Sequence, residues 1–570
     1  MIYLRSVLNY ACNVQQSPST IVRRWEEVGS LLSSTLKDYL ALCLSLENRH
    51  LRSDRALKDL PARIDSSLLL SHPTFAKDLA RARSSLARTR NQLASPSYRL
   101  PVEVLYEIFL LVLYERDDEE FDDMRSGLQK IYHRLHCLLD VCSVWRQIGL
   151  SQGILWSIVP IFYPRSGPFR YQATNLSLQR AGGSVLHLGA IVSPDGPVNL
   201  ESLSEHASRF RTINISSCSC HSIRRLLNKL LERGHLESVS ELSIQQDHPS
   251  DGHLQVPEHV ITHDSPRYTS FARLVNSVSV LRIRGAHLSW DALAFSAQLV
   301  ELQLQNVFLG PDSELIELLR VLSSVSQLRD LKLISISTFN EVATPSAELC
   351  SSITFTNLRA LLLEDLHFNT LRCFLTTIIS GPYSLALYPT QRITETRFAD
   401  GSVWDESLED LQSLLRGLPI DKFLIDGDEE IWWFEKMGFR GLLELMPSLK
   451  TLHIHSWDFD ENDWEGLKRP HEPLLSVSHA SFPKLEGLHL TCAGIFDEGI
   501  KDVVTSHPIQ NMVLGANFDS DDDESSLGDG DSLEWEETLI AWLASRVPKF
   551  RLTTEAYIPF EFRSDEWRLW

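Results

Sequence analysis

The sequence offers few residues arranged for chemistry, and the most conspicuous are Gly149-Leu150-Ser151-Gln152-Gly153. G-x-S-x-G is the spacing of a nucleophile elbow, where a serine on a sharp strand-to-helix turn presents its Oγ for acyl transfer. That geometry requires a buried strand immediately before the serine. Upstream of Ser151 runs "LLDVCSVWRQI", with apolar positions three or four apart, the period of a helix. The 130 or so residues before it also read as helical, leaving no sheet to carry an elbow. Gly149 and Gly153 are expected instead as helix C-cap and turn glycines.

Other candidates lack partners. Cys218-Ser219-Cys220 precedes His221, but zinc takes about four ligands and no second cluster accompanies them. His453 and His455 share a strand face without a third ligand and read as polar surface. "HEPLL" (471–475) lacks the second histidine of a zinc protease, and the chain has no Gly-Lys dipeptide for a phosphate-binding loop. In "DSDDDESSLGDG" (519–530), Glu524 occupies the position where a calcium loop needs glycine. That run belongs to an acidic loop, 517–537, with Ser520 ahead of three aspartates as a site for an acidophilic kinase. No catalytic residue, cofactor or metal is expected, and the chain reads as a non-enzyme.

A chain of 570 residues exceeds one ordinary core, so several domains or a repeat array are expected. The net charge of −21 argues against a nucleic-acid partner read through phosphates. The charge is uneven: residues 1–98 carry 14 Lys/Arg against 8 Asp/Glu. Nine cysteines without regular spacing fit a reducing compartment. The longest apolar stretch, 100–114, contains Glu103 and Glu107 and is too short to span a bilayer, and the N-terminus lacks a signal-peptide pattern. These features lead us to expect a soluble chain of the cytoplasm, the nucleus or both, with no membrane partner.

Residues 1–98 form a helical leader. Phe75, Leu79, Ala82, Leu86, Thr89 and Leu93 alternate steps of four and three, a short coiled-coil-like seam on a helix expected at 74–95. Leu100-Pro101-Val102-Glu103 then opens a helix with Pro101 in the first turn and Glu103 at the positive end of the dipole. Its apolar residues, from Val104 to Leu113, wrap most of the cylinder, so it needs cover on two sides. An acidic insertion, 115–136, precedes one further helix near Tyr132–Ile148.

From about residue 175 to 570 the texture becomes short strands written Leu-x-Leu. Their first positions are Leu186, Ile213, Leu242, Leu281, Leu302, Leu331, Leu361, Phe423, Leu452 and Leu488, with "RITETRF" (392–398) filling the long gap after Leu361. A recurring spacing near 29 is the signature of a leucine-rich-repeat solenoid. Side chains alternate along a strand, so the Leu/Ile pair enters the core and the intervening residues line the concave face. The substrate-contact candidates on that face are Arg282, Arg284, Glu301, Gln303, Gln305, Asp330, Lys332, His453, His455 and His489, with His187 beside them. The expected fold class is α/β: an all-α leader and helical module, then a degenerate solenoid.

The stretch 99–160 resembles the F-box. The matching residues are Leu100-Pro101-x-Glu103-x-Leu105-x-x-Ile108-Phe109, Leu138/Leu139, Val141-Cys142-x-x-Trp145-Arg146 and Leu155-Trp156-x-Ile158. The layout resembles fungal, basidiomycete-type F-box proteins with C-terminal leucine-rich repeats. The resemblance implies a substrate-receptor subunit of a Skp–cullin–F-box ubiquitin ligase, binding a Skp-type adaptor and through it a cullin, with a protein substrate on the repeats. Carried over by position, the adaptor contacts are Leu100, Pro101, Val104, Leu105, Ile108, Phe109, Cys142, Trp145, Leu155 and Trp156. The stretch between Leu113 and Leu138 is longer than the family's usual link. The alternative is a leucine-rich-repeat protein-binding scaffold without a ligase role.

Overall fold

The computed structural model describes residues 17–47, 59–94, 96–115, 123–162, 172–193, 201–232, 236–246, 258–288, 295–340, 353–416, 418–428, 431–470, 482–496, 498–518, 530–554 and 557–563. His471, Ser520 and most of the acidic loop 517–537 lie outside them. The chain divides into two units, 1–99 and 100–570.

The first unit is helical: α1 (Pro18–Glu47), α2 (Leu60–Ser66) and, through a wider turn at Ser67–Ser71, α3 (His72–Ala94). Tyr39 of α1 meets His72 of α3, Oη to Nε2 at 3.1 Å.

The second unit opens with α4 (Val102–Leu113), which buries Leu105, Phe109 and Leu113 at i, i+4 spacing. The single helix expected near Tyr132–Ile148 is two helices, α5 (Met124–Val141) and α6 (Ser143–Ser151). The chain is fully extended at Cys142 (φ −161°, ψ 170°), whose Sγ accepts the Trp145 N–H at 3.5 Å and starts α6. Part of the expected insertion, 115–136, is helical. The Asp123 carboxylate accepts the Ser126 N–H at 2.7 Å, so the chain re-enters helix at Met124. From there Leu128, Ile131, Leu135, Leu138 and Leu139 form one buried stripe. Gly149 is a third correction. It lies inside α6, where a Cβ would fall 2.5 Å from Leu139 Cδ2, so its role is close helix packing rather than capping.

Beyond α6 runs a parallel sheet of fourteen strands in nearly sequential order. Its strands are β1 (Ile158–Ile161), β2 (Leu186–Val192), β3 (Phe210–Ser217), β4 (Glu241–Gln246), β5 (Val280–Arg284), β6 (Glu301–Gln305) and β7 (Asp330–Ile334). They continue as β8 (Ala360–Glu364), β9 (Ser384–Tyr388), β10 (Ile420–Asp426), β11 (Thr451–Phe459), β12 (Gly487–Ile495), β13 (Asn511–Asn517) and β14 (Lys549–Leu552). With helices such as Cys220–Leu231, Asp312–Ser323 and Phe368–Thr377 between strands, the architecture is a leucine-rich-repeat-type α/β solenoid.

All ten Leu-x-Leu segments are strands of this sheet. The eleventh, "RITETRF", is not. The strand filling the gap is β9, "SLALY", whose Leu385 and Leu387 pair in register with Leu361 and Leu363. Glu395–Arg397 pairs antiparallel with Val403–Asp405 in a separate two-stranded ribbon. The sheet also starts earlier than residue 175, at β1, whose four residues are all buried.

One backbone feature recurs. Four residues after the first core residue of β5 to β8, β11 and β12 stand Gly285, Asn306, Ser335, Asp365, Ser456 and Cys492, all left-handed with φ between 49° and 62°. Gly427 holds the same place after β10. The N–H groups of Gly285, Asn306, Ser335, Asp365 and Gly427 each donate to a carbonyl of the next strand at 2.8–3.0 Å. The turn thus extends the ladder one residue beyond each strand, and its unfavourable φ is offset by that bond.

Candidate interaction surfaces

On the helical module the ten residues carried over from the motif separate by burial. Leu100, Pro101 and Val104 are exposed; Ile108, Cys142 and Trp145 are half-buried; Leu105, Phe109, Leu155 and Trp156 are buried. The buried four are committed to this chain's own core. Trp145 rests on Phe109 with ring centroids 4.9 Å apart. Trp156 donates its indole N–H to the Gly149 carbonyl at 2.8 Å, under the Arg180 guanidinium at 4.4 Å. Arg146 ties the start of α6 back to α5, donating to the Leu139 carbonyl at 3.1 Å and pairing with Asp140 at 2.6 Å.

Apolar residues are exposed on and just before α4, beside the exposed Glu103 and Glu107. Val102 joins Leu100 and Val104, and Leu111 is 72% exposed. Leu111 was missed in the motif. The signal was its place off the 105–109–113 stripe, where a helix in water carries a polar residue.

Ser151 is the last residue of α6, and its hydroxyl donates to the Ile148 carbonyl at 3.0 Å. The residues before it are helical, so the strand that a nucleophile elbow needs is not there. Cys220 is buried, donates to the Glu258 carbonyl at 3.3 Å, and has its thiol pushed up to about 11 chiefly by burial. Among the described residues no group of three His, Cys, Asp or Glu could hold a metal ion, and no helix is long and apolar enough to cross a membrane.

The other surface is the sheet face opposite the Leu/Ile core positions. Burial alternates along β5, with Leu281 and Ile283 buried and Arg282 and Arg284 half-buried. Arg282 is the centre of a charged ladder. It grips Glu301 of β6 with two bonds, of 2.9 and 3.2 Å, and faces Glu241 of β4 at 4.0 Å. Gln303 donates to the buried Gln305 at 3.2 Å. Asp330 on β7 has its carboxyl pushed up by burial and by Glu301, with Lys332 acting against that. This part of the face presents paired charges of both signs. His187, nearer the start of the sheet, shares a hydrogen bond with Thr212 at 3.1 Å.

The histidines differ from the expected polar surface. His453 is only 1% exposed and His455 is 8%. His453 lies against His489 with ring centroids 4.1 Å apart, and neither of its ring nitrogens has a hydrogen-bond partner among the described residues. His455 bonds Thr491 at 2.8 Å. Phe562, from the C-terminal segment, lies 5.3 Å from both the His455 and the Tyr388 rings and 6.5 Å from His453. The segment covers this end of the face, and burial, next to His489 and Lys422, holds His453 far below the usual imidazole range. Sequence periodicity placed these residues on the right face; nothing local in it marked the distant aromatic residue that covers them.

No protein-family model matches the chain, and no curated protein matches it. Among solved structures, the chain is similar to an internalin from Listeria monocytogenes str. 4b F2365 at 12% identity, over 64% of this chain and 82% of that one, with a TM-score of 0.24.

Proposed function

We propose that the chain is a non-catalytic receptor that links a protein to a ubiquitin ligase. The module 100–158 docks on a Skp-type adaptor, and through it a cullin, while the solenoid holds the protein to be modified. The observation that carries this reading is the apolar strip Val104, Ile108 and Leu111 on the side of α4 turned away from its buried stripe of Leu105, Phe109 and Leu113. An uncovered apolar patch of that kind marks a protein contact. It coincides with the Leu100-Pro101-x-Glu103-x-Leu105 motif that resembles the F-box. The charged ladder around Arg282 supplies polar, charge-paired recognition on the solenoid face, suited to a protein surface rather than to phosphates.

Co-purification with a Skp-type adaptor tests this. The wild-type chain is expected to retain the adaptor, and the double variant Val104→Glu/Leu111→Glu is expected to lose it while melting at the wild-type temperature. Adaptor retention by that variant would remove α4 as the docking surface. Failure of the wild-type chain to bind any Skp-type adaptor would leave a repeat scaffold without a ligase role.

A further inference from the structure

The sheet face opposite the Leu/Ile core changes character along its length. From β5 to β7 it presents charges, Arg282, Glu301 and Lys332 among them, whereas from β9 to β12 it carries Tyr388, Leu424, His453, His455 and His489. Leu424 pairs in register with His453, and strand alternation sets both on the side away from the core residues Phe423 and Ile425. Leu424 is 1% exposed and Tyr388 8%. Two large side chains are thus buried on the side of the sheet that a solenoid turns to its ligands.

The segment 557–563 lies over this patch. The Phe562 ring stands edge-on to Tyr388 at 5.3 Å and lies 5.3 Å from His455 and 6.5 Å from His453, the separations of aromatic packing. The segment adds no strand to the sheet. Its backbone turns back on itself, with the Tyr557 N–H donating to the Thr554 carbonyl and the Phe562 N–H to the Pro559 carbonyl, both at 3.0 Å. Phe562 itself stays half-buried. An aromatic anchor on a buried seat, carried by a segment outside the strand ladder, is the arrangement of a docked peptide.

This occupant leaves the seat incompletely satisfied. Neither ring nitrogen of His453 has a hydrogen-bond partner among the described residues, although the side chain is almost wholly buried, and a phenyl ring has no polar atom to offer. A buried polar group left unpaired costs free energy that a hydrogen-bonding occupant recovers.

We propose, resting on the reading of this sheet face as the surface that holds a protein, that Tyr388, Leu424, His453 and His455 seat a tyrosine or tryptophan of the bound protein, and that Phe562 fills the seat in its absence. The tyrosine O–H or tryptophan N–H pairs with His453, which Phe562 cannot do. That difference offsets the advantage Phe562 has from being tethered to the same chain.

The full-length chain and the synthetic peptide 557–563, unmodified or substituted, test this by calorimetry. The full-length variant Phe562→Ala is expected to bind the peptide carrying Phe562→Tyr about tenfold more tightly than the wild-type chain does, because the tethered ring no longer competes. The same variant is expected to bind that peptide about three- to tenfold more tightly than the unmodified one, and a peptide carrying Phe562→Ala not at all. Circular dichroism checks that the variant is folded. The wild-type chain gives a readout that needs no variant: an excess of the Phe562→Tyr peptide is expected to speed hydrogen exchange at the Phe562 amide. Equal binding by variant and wild type, or unchanged exchange, overturns the displaceable segment. Equal binding of the unmodified and Phe562→Tyr peptides overturns the pairing with His453. None of these measurements uses the adaptor, so their failure is distinct from a failure of α4 to dock one.

Discussion

The indole N–H of Trp156 reaches back seven residues to the carbonyl of Gly149, 2.8 Å away. The bond spans the chain's exit from α6 toward β1, and Trp156 is almost wholly buried there. Trp156→Phe keeps most of the ring volume but leaves the Gly149 carbonyl unpaired, at an expected cost of about 1–3 kcal/mol. Trp156→Ala adds a cavity and is expected to cost about 3–5 kcal/mol. Urea unfolding distinguishes the two. Equal losses would show that the hydrogen bond, not the volume, holds the junction.

Gly427 tolerates no side chain. A Cβ there would lie 1.9 Å from the Ser456 carbonyl oxygen, beside the bond its own N–H makes to His455 at 2.8 Å. Gly427→Ala is expected to destabilise by about 1–3 kcal/mol or more, because backbone rather than a flexible side chain must move. Gly183, with nothing within 4 Å of its Cβ position, is the control. Gly183→Ala is expected to shift stability by less than about 0.5 kcal/mol. Thermal melts that fail to separate the two would refute the close packing at the turn.

Acid is expected to weaken the fold through buried neutral histidines. His367 is pushed down to about 4 by burial first, then by Arg392 and Arg397; these outweigh Asp365 and the Glu395 carboxylate 3.9 Å from Nε2. His489 is also pushed down to about 4, by burial and Lys422. An unfolded histidine titrates near 6.5, so below that pH the unfolded chain takes up protons that the fold refuses. The contribution is complete above about 6.5 and falls as the pH drops toward 4. The melting temperature is expected to decline over that window, and less steeply in His367→Gln/His489→Gln. An identical slope in that variant would mean that these imidazoles protonate without cost in the folded chain.

The two sides of α4 are expected to respond oppositely to truncation. Phe109→Ala, in the core, is expected to cost about 3–5 kcal/mol, and Leu111→Ala, in water, less than about 0.5 kcal/mol. Denaturant midpoints measure both. A large loss at Leu111 would place it against another part of the chain.

Much of the solenoid was legible because a strand's two-residue alternation survives in even the degenerate repeats: Leu281-Arg282-Ile283 announces its buried and open sides unaided. β9 was overlooked in favour of 392–398, although Leu385-Ala386-Leu387 carries the same pattern only 24 residues after Leu361. The repeat there is short, 24 residues against a recurring spacing near 29, which points past β9 to 392–398. The break at Cys142 was invisible because the apolar stripe of α5 continues at helical spacing into α6; only the backbone shows that the chain straightens there. The left-handed positions carry no single residue type, since serine, aspartate, asparagine, cysteine and glycine share them; at Gly285, Asn306, Ser335 and Asp365 what recurs is a backbone bond to the next strand. On the candidate surfaces, the resemblance to the F-box pointed to Leu100 and Val104 and strand alternation to Arg282, but burial at Leu105 and Phe109 depends on α5 and α6, and that at His453 on a residue more than a hundred positions away.

An open parallel sheet ends in two strands whose outer backbone groups await a neighbour, and such a boundary can template aggregation. Here the two ends are unequal. On β1 the outermost carbonyls are taken by side chains, Ile158 by the Tyr132 hydroxyl at 2.8 Å and Pro160 by Thr174 at 2.6 Å. At the far end, β14 is largely open to solvent. Tyr132 of the helical module and Thr174 of the helix Gln172–Arg180 therefore close the solenoid's first edge between them. Damage to these caps would open a sticky boundary, which predisposes the damaged chain to aggregate.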